Sequence, residues 1–337
     1  MATFTVCIPS YNAERIIGET IQSLLRQTFQ DWDCIVVDDA STDRTADVVQ
    51  EFTDPRISFI PNDRNLGCAG NFQRCRDLAT GKYIYFLAND DILAPTALER
   101  CYDAFQLADD VAVITRPYYW FRGSDHDVAI RYTKPLDSTK DRIITIDDDD
   151  DGLRALFETL GQVSALAFRN DALTTPFSPH VWTTHIQAFL GTLKQHRGVF
   201  LHDYPVAIRT ESSQARNISS IYDPSPLWTW VTLMRTVFAG PRWTRQRKLG
   251  IDNIASHPEG LVQLRCHSAF RNFLREAWLY LLYRPSNAWL PAYWIFFLGS
   301  LVTPRKLLRK IVDRYIAVYT RSARAGIVTI SRSKTAS

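Results

Sequence analysis

Over the first third of the chain, short apolar runs alternate with segments of helical period. The runs Phe4–Ile8, Cys34–Val37, Ile57–Ile60, Tyr83–Leu87 and Val111–Thr115 predict strands. Between the first two, Ile16, Ile17, Ile21, Leu24 and Leu25 fall on one face of a helix, with Asn12 placed to cap it. A second helix is expected from about Ser41–Asp43, burying Ala46, Val49 and Phe52, and a third over about Gly70–Ala79. A fourth follows Pro95 and buries Ala97, Leu98, Cys101 and Phe105. Strands joined by single helices predict an α/β fold with a mainly parallel, Rossmann-like sheet flanked by helices. Ligands of such a sheet bind beyond the C-terminal ends of its strands.

The pattern then loosens. Residues 116–152 hold an aromatic cluster at Tyr118–Phe121 and the carboxylate run Asp147–Asp151, read as a solvated loop or a helix N-terminus. From Leu153 to Ile208 the chain is again fold-forming, with QVSALAF and GVFLHDYPVAI flanking a helical segment, His185–Gln195. Beyond about residue 225, Trp, Leu, Phe and Arg dominate. The expected organisation is one domain over 1–225, in two halves (1–115 and 116–225), and a helical C-terminal appendage over 226–337. The charge-free run Pro285–Pro304 contains three prolines, which makes it a poor membrane-spanning helix. Its aromatics beside Arg305, Lys306, Arg309, Lys310 and Arg314 fit a segment lying on an anionic membrane surface. An ordinary helical subdomain or a dimer interface is the alternative.

Composition sharpens this picture. With 337 residues, 46% of them hydrophobic, the chain can bury a sizeable core. The net charge of +3 conceals a division: residues 1–110 hold 9 basic and 18 acidic side chains, and residues 240–337 hold 17 basic and 4 acidic. An acidic end suits a metal, and a basic one suits an anionic surface. Nucleic acid is a poor partner for the basic end, because Trp and Leu dominate between its charges and no nucleic-acid motif is present. The six cysteines form no CxxC pair, which points to buried free thiols in a reducing compartment. The N-terminal MATFTVCIPSYN lacks the pattern of a signal peptide, so the expected location is cytoplasmic, peripheral on the inner face of the cell membrane.

Candidate chemistry gathers where strands stop: Pro9-Ser10-Tyr11-Asn12 after the first, Asp38-Asp39 after the second, and Asn89-Asp90-Asp91 after the fourth. Two carboxylate pairs on neighbouring strand ends make a hard oxygen site suited to Mg²⁺ or Mn²⁺ carrying a diphosphate. The plainer reading has Asp38 and Asp39 capping the helix that starts near Ser41.

The stretches VCIPSYNAERIIGETIQSLLRQTFQDWDCIVVDDASTDRTADVV and NLGCAGNFQRCRDLATGKYIYFLANDDIL resemble the family 2 glycosyltransferases of the GT-A fold, closely over residues 3–115 and loosely to about 215. The resemblance implies that residues 1–115 are a nucleotide-binding half and 116–225 an acceptor half, and that Tyr11, beside Pro9, lines the nucleotide base. It has Asp39 contact the base with Asp38 as neighbour, and Asp90 and Asp91 bind the ribose and the diphosphate metal, Asp91 as principal ligand. ANDD replaces the commoner DSDD, with Ala88 in the first position. Inverting members place an Asp or Glu near the start of a helix in the second half, where PFSPHVWTTHIQAFLGTLKQH offers only Thr183, Thr184 and His185. An imidazole titrates near neutral pH, so His185 is a candidate catalytic base as well as a candidate structural residue. Asp171, Asp203 and Glu211 are its rivals, and inversion or retention stays open. The second half, with VSALAFRNDAL, HDYPVAIRTESSQAR and the basic aromatic tail, resembles, loosely, bacterial abequosyltransferase-like enzymes that transfer deoxy or dideoxy sugars onto surface polysaccharide. That implies a UDP-, dTDP- or CDP-linked donor and a polyprenyl-linked saccharide acceptor. The expected function is metal-dependent glycosyl transfer in surface polysaccharide or O-antigen synthesis, and the alternative is a nucleotide-sugar-binding protein that keeps the fold without turnover. A nucleotidyltransferase would carry a glycine-rich basic loop where this chain has PSYNAER.

Overall fold

In the structure, a computed structural model, the apolar runs of the first third become five strands of an eight-stranded sheet. The structure describes residues 1–211, 222, 223 and 225–325, with side chains as far as residue 315. The serine-rich part of HDYPVAIRTESSQAR (Ser212–Arg216) and the end of the basic tail (326–337) lie outside the described residues.

The elements run β1 (Phe4–Ser10), α1 (Ile17–Leu25), β2 (Trp32–Asp38), α2 (Thr45–Gln50), β3 (Ile57–Pro61), α3 (Gly67–Leu78) and β4 (Tyr83–Phe86). There follow β5 (Ile92–Leu93), α4 (Ala97–Phe105), β6 (Val111–Thr115), β7 (Tyr119–Phe121), β8 (Arg131–Tyr132) and β9 (Arg142–Ile144). The first unit is completed by α5 (Asp150–Thr159), β10 (Leu166–Arg169), α6 (Thr184–Leu193), β11 (Arg197–Phe200) and β12 (Val206–Arg209). The large sheet has the order β3-β2-β1-β4-β10-β6-β11-β9, and β5-β12-β7-β8 forms a second, smaller sheet. Strands β1 to β4 pair in parallel, while β10 runs antiparallel between β4 and β6. The near-continuous apolar character of β1, β2 and β4 follows from their central place, covered on both faces. α1 packs Ile17, Ile21 and Leu24 onto this sheet, as its periodicity predicts, and α4 packs Ala97, Leu98, Cys101 and Phe105.

Several local expectations are corrected. Asn12 does not cap α1; its backbone takes a left-handed φ of 49° and its Oδ1 accepts from Thr42 N–H at 2.8 Å, tying two loops together. α2 begins at Thr45, because Ser41 and Asp43 are used in loop hydrogen bonds to Asp38, Glu14 and Thr45. Of the three residues expected beneath it, Val49 is buried while Ala46 and Phe52 are half-buried. α3 starts three residues early, at Gly67, whose φ of +72° suits glycine. The carboxylate run behaves as a helix start: Asp149 caps α5 by accepting from Gly152 N–H at 2.8 Å. The six cysteines are free, four of them fully buried in the first unit.

The first compact unit spans Met1–Glu211, and a second takes in the described residues from 222 to 325. The second is helical: α7 (Pro226–Val237), α8 (Thr244–Ala255), α9 (Gly260–His267), α10 (Phe270–Tyr283), α11 (Pro291–Val302) and α12 (Arg305–Ala325). Leu227, Val231, Leu261, Phe273, Ala277 and Tyr293 form its core. The charge-free run is divided by Leu290, leaving α11 with 12 residues, about 18 Å of helix against a hydrocarbon layer of about 30 Å. No helix among the described residues is long and apolar enough to cross a membrane.

Candidate active site

Parallel pairing sets the ends of β1, β2 and β4 side by side, with Ser10 opposite Asp38 and Cys7 opposite Phe86. Ser10 then serves as a meeting point. Its carbonyl accepts from Asp39 N–H at 2.8 Å, and its Oγ accepts from Asn89 Nδ2 at 3.2 Å. The loops carrying Tyr11, Asp39 and Asp90 therefore converge on the end of β1.

The two aspartates after β2 are both buried, with different partners. Asp38 accepts from Ser41 N–H at 2.9 Å and from Ser41 Oγ at 2.5 Å, so it shapes the turn rather than capping α2. Asp39 Oδ1 accepts from Leu66 N–H at 2.7 Å and from Asn62 Nδ2 at 3.0 Å, which fastens the loop entering α3. Between Asp39 and Ser41, Ala40 takes a φ of 58°, a conformation that costs a non-glycine residue about 1 kcal/mol or more. Tyr11 is 46% exposed at the mouth of these loops, and Pro9 is half-buried in β1 opposite Val37.

After β4 the adjacent carboxylates divide. Asp90 is half-buried, whereas Asp91 is 2% exposed. Asp91 Oδ2 accepts from Ser164 Oγ at 2.5 Å and Oδ1 accepts from Arg209 N–H at 2.9 Å, joining β4, β10 and β12 beneath the site. Burial, and next the neighbouring Asp90 charge, push the Asp91 carboxyl well above the usual carboxylate range, against those hydrogen bonds.

Two arginines that the sequence analysis did not single out build the surroundings. Arg209, 8% exposed, donates through Nε to the Asp90 carbonyl at 3.0 Å, through Nη1 to the Gly123 carbonyl at 3.0 Å, and through Nη2 to Glu19 at 2.6 Å. Gly123 meets it with a φ of +69°, a backbone shape that glycine takes without strain. Arg116, fully buried, donates to the carbonyls of Ser164 and Thr159 and to Gln162, and burial lowers its pKa to about 10. The only sequence signal for either was an arginine terminating an apolar strand run, at VAVITR and PVAIR.

His185 lies at the start of α6, buried, with Nε2 2.8 Å from the Leu160 carbonyl. A carbonyl only accepts, so Nε2 carries the proton there, and burial lowers the imidazole pKa to about 4. Its neighbours Thr183 and Thr184 are buried and hydrogen-bonded to His180 and Ser178. Asp171 pairs with Arg169 and lines a surface hollow of about 400 Å³ with Lys82 and Asn170, just before β4 begins and so at the opposite end of that strand from Asp90. Glu211 accepts from Gly123 N–H at 2.8 Å.

Asp203 belongs to a separate group with Asp141 and His202, whose ligand atoms lie within 4.8 Å of one another. Arg100 already occupies that group: its Nη2 donates to Asp141 at 2.8 Å and its Nε to Asp203 at 2.9 Å. A guanidinium in place answers the charge that a metal ion would otherwise neutralise there.

An α/β sheet with acidic loops gathered at the ends of parallel strands is the architecture of the GT-A fold. Residues 5–150 match the family described as Glycosyl transferase family 2, and that stretch is a family 2 glycosyltransferase domain. It is similar to UDP-Glc:alpha-D-GlcNAc-diphosphoundecaprenol beta-1,3-glucosyltransferase WfgD of Escherichia coli, 41% identical over 95 residues, 28% of this chain and 38% of that protein. It is also similar to the teichuronic acid biosynthesis glycosyltransferase TuaG of Bacillus subtilis, 38% identical over 98 residues, 28% of this chain and 39% of that protein. The chain thus spans under two fifths of the length of either relative. Among solved structures, S. aureus TarS 1–349 in complex with UDP-GlcNAc matches with a TM-score of 0.62 at 14% identity, over 96% of this chain and 92% of that one. At that identity the likeness shows the fold.

Proposed function

We propose that this protein transfers a sugar from a UDP-, dTDP- or CDP-linked donor to a polyprenyl-linked saccharide acceptor in the assembly of bacterial surface polysaccharide. The observation that carries the reading is the meeting of the Tyr11, Asp39 and Asp90 loops around Ser10 at the ends of adjoining parallel strands. The E. coli relative is named for a UDP-Glc donor and a diphosphoundecaprenol-linked acceptor, which supports the donor and acceptor classes. In this reading Tyr11 offers its exposed ring to the nucleotide base, with Pro9 behind it, and Asp38 and Asp39 hold the two walls of the base site. The resemblance made Asp91 the principal ligand of Mn²⁺ or Mg²⁺; because Asp91 is buried with both oxygens bonded to Ser164 and Arg209, this reading gives that role to Asp90, the more exposed of the pair, and has Asp91 fix the loop from beneath. Such an ion, when bound, neutralises the diphosphate leaving group. His185 takes a positioning role, because it is buried, held by its Nε2–H on the Leu160 carbonyl, and its basicity is lowered by burial. The helical second unit, basic and rich in exposed aromatics, rests on the inner face of the cell membrane, where the acceptor lies.

The test is donor turnover by the purified chain with Mn²⁺ across UDP-, dTDP- and CDP-sugars, with and without a polyprenyl-linked acceptor. Acceptor-dependent release of nucleoside diphosphate, lost on chelation and in Asp90→Ala, is the expected result. Donor binding by calorimetry without product, for every donor and acceptor, would instead establish a non-catalytic nucleotide-sugar-binding protein.

A further inference from the structure

The second unit gathers guanidinium groups that glycosyl transfer leaves unused. Arg305 and Arg309, one turn apart on α12, both direct Nε to a single carbonyl, that of Cys266, at 2.7 and 2.8 Å. Arg265, on α9, directs its Nε to the Ser300 carbonyl at 3.1 Å and lies 5.2 Å over the Phe270 ring. Cys266 and Ser300 stand in the last turns of α9 and α11, where free carbonyls carry the negative end of the helix dipole. That explains how like charges are brought together. Among the described residues, none of the ion pairs seen in this unit, such as Arg271 with Asp223 and Arg284 with Asp252, involves Arg265, Arg305 or Arg309. A hollow of about 140 Å³ opens at this point, lined by Cys266, His267, Arg309, Val312 and Asp313, the last its one carboxylate.

Two guanidiniums anchored by Nε hold their remaining N–H donors in fixed planes, the arrangement that matches the oxygens of a phosphate group. The surface of α12 says where that phosphate sits. Leu307, Ile311 and Tyr315, spaced by four residues, form an exposed apolar stripe, with exposed Lys306, Lys310 and Arg314 beside it. On α11, Ile295, Leu298 and Val302 are exposed as well, and Val302 reaches 76%. An apolar stripe bordered by cations fits a bilayer surface better than it fits a free anion in water.

We infer that Arg305 and Arg309, with Arg265 beside them, form a phosphate site that seats the headgroup of an anionic phospholipid when α12 lies on the membrane. This rests on the membrane reading of the second unit and adds a specific headgroup contact to it. The experiment is sedimentation of the full chain with phosphatidylglycerol/phosphatidylcholine vesicles and with phosphatidylcholine alone. The variants are Arg305→Lys with Arg309→Lys, and Lys306→Arg with Lys310→Arg; both keep the charge, and thermal melts check that both keep the fold. The expected result is binding to the anionic vesicles, weakened about tenfold by the arginine-to-lysine pair and unchanged by the lysine-to-arginine pair. Anionic-vesicle binding that the arginine-to-lysine pair leaves intact would overturn the headgroup site while leaving membrane association standing. No vesicle binding by the parent chain would overturn both. Inorganic phosphate bound through these arginines, without vesicle binding, would reassign the site to a soluble anion and so refute the lipid assignment.

Discussion

The backbone N–H of Arg209 donates to Oδ1 of Asp91 at 2.9 Å, so the end of β12 is fastened to the carboxylate pair that follows β4, 118 residues earlier. The Arg209 guanidinium extends the same link to the Asp90 carbonyl, Gly123 and Glu19. Replacing Arg209 by Met keeps the backbone bond and removes the other three. The expected outcome is a stability loss of about 1–2 kcal/mol, because two partly buried carbonyls lose a charged donor. The Asp90 loop should also loosen, raising the Mn²⁺ concentration for half-maximal activity about tenfold. A melt and a Mn²⁺ titration of turnover measure the two effects separately. Unchanged Mn²⁺ dependence would make Arg209 a stability residue alone.

On the proposed reading, Asp90 serves the chemistry and Asp91 the support. Asp90→Asn removes a carboxylate from the outward position and is expected to cut turnover at least about 100-fold, with a melting temperature close to that of the parent. In Asp91→Asn the amide must set its NH₂ against Arg209 N–H or force Ser164 Oγ to accept rather than donate. Either choice leaves a buried donor poorly paired and should cost about 1–3 kcal/mol. Equal melting temperatures for the two variants would show that Asp91 is not the support the geometry makes it.

His185 ties stability to pH. Its folded pKa, lowered to about 4 by burial, lies below the value of 6.5 for a free imidazole, so the unfolded chain binds more protons between those values. Stability contributed by the neutral ring is therefore full above about pH 6.5 and is lost as pH falls toward 4, by about 3 kcal/mol at most. Denaturant unfolding at pH 7 and pH 5 should show the loss in the parent chain and a smaller one in His185→Asn. In the same variant kcat at neutral pH should stay within about tenfold of the parent. A fall of 100-fold or more with unchanged stability would return His185 to the role of base.

What was legible in the sequence was whatever repeats along the chain. The periods of β1 to β4 and α1 to α4 come from local sequence, and the acidic strand ends stand out because parallel strands stop together. Long-range connections were not legible. Nothing between Asp91 and Arg209, or between Arg116 and Ser164, marks them as partners, since one member of each pair donates or accepts through its backbone. Asn12 had the right residue type for a cap, yet the left-handed turn after β1 points its side chain to Thr42 instead. The antiparallel insertion of β10 between β4 and β6 was equally hidden, because a buried strand reads the same in either direction.

Asp38 and Asp39 are adjacent and alike in burial, and their partners predict different failures. Asp38 is satisfied within four residues by Ser41, so Asp38→Asn breaks a local turn whose N–H donor then faces a mixed amide. Its expected cost is about 1–2 kcal/mol of stability with a modest change in donor affinity. Asp39 instead holds Leu66 N–H and Asn62, at the entry to α3, and its turn depends on the left-handed Ala40. Asp39→Asn should release the wall formed by residues 62–66 and raise KM for the nucleotide sugar about tenfold or more, with kcat less affected. Replacing Ala40 by Gly relieves the positive φ and should stabilise the fold by a few tenths to about 1 kcal/mol without moving KM. If Ala40→Gly and Asp39→Asn shifted KM alike, mobility of the turn, and not the Asp39 carboxylate, would govern donor binding.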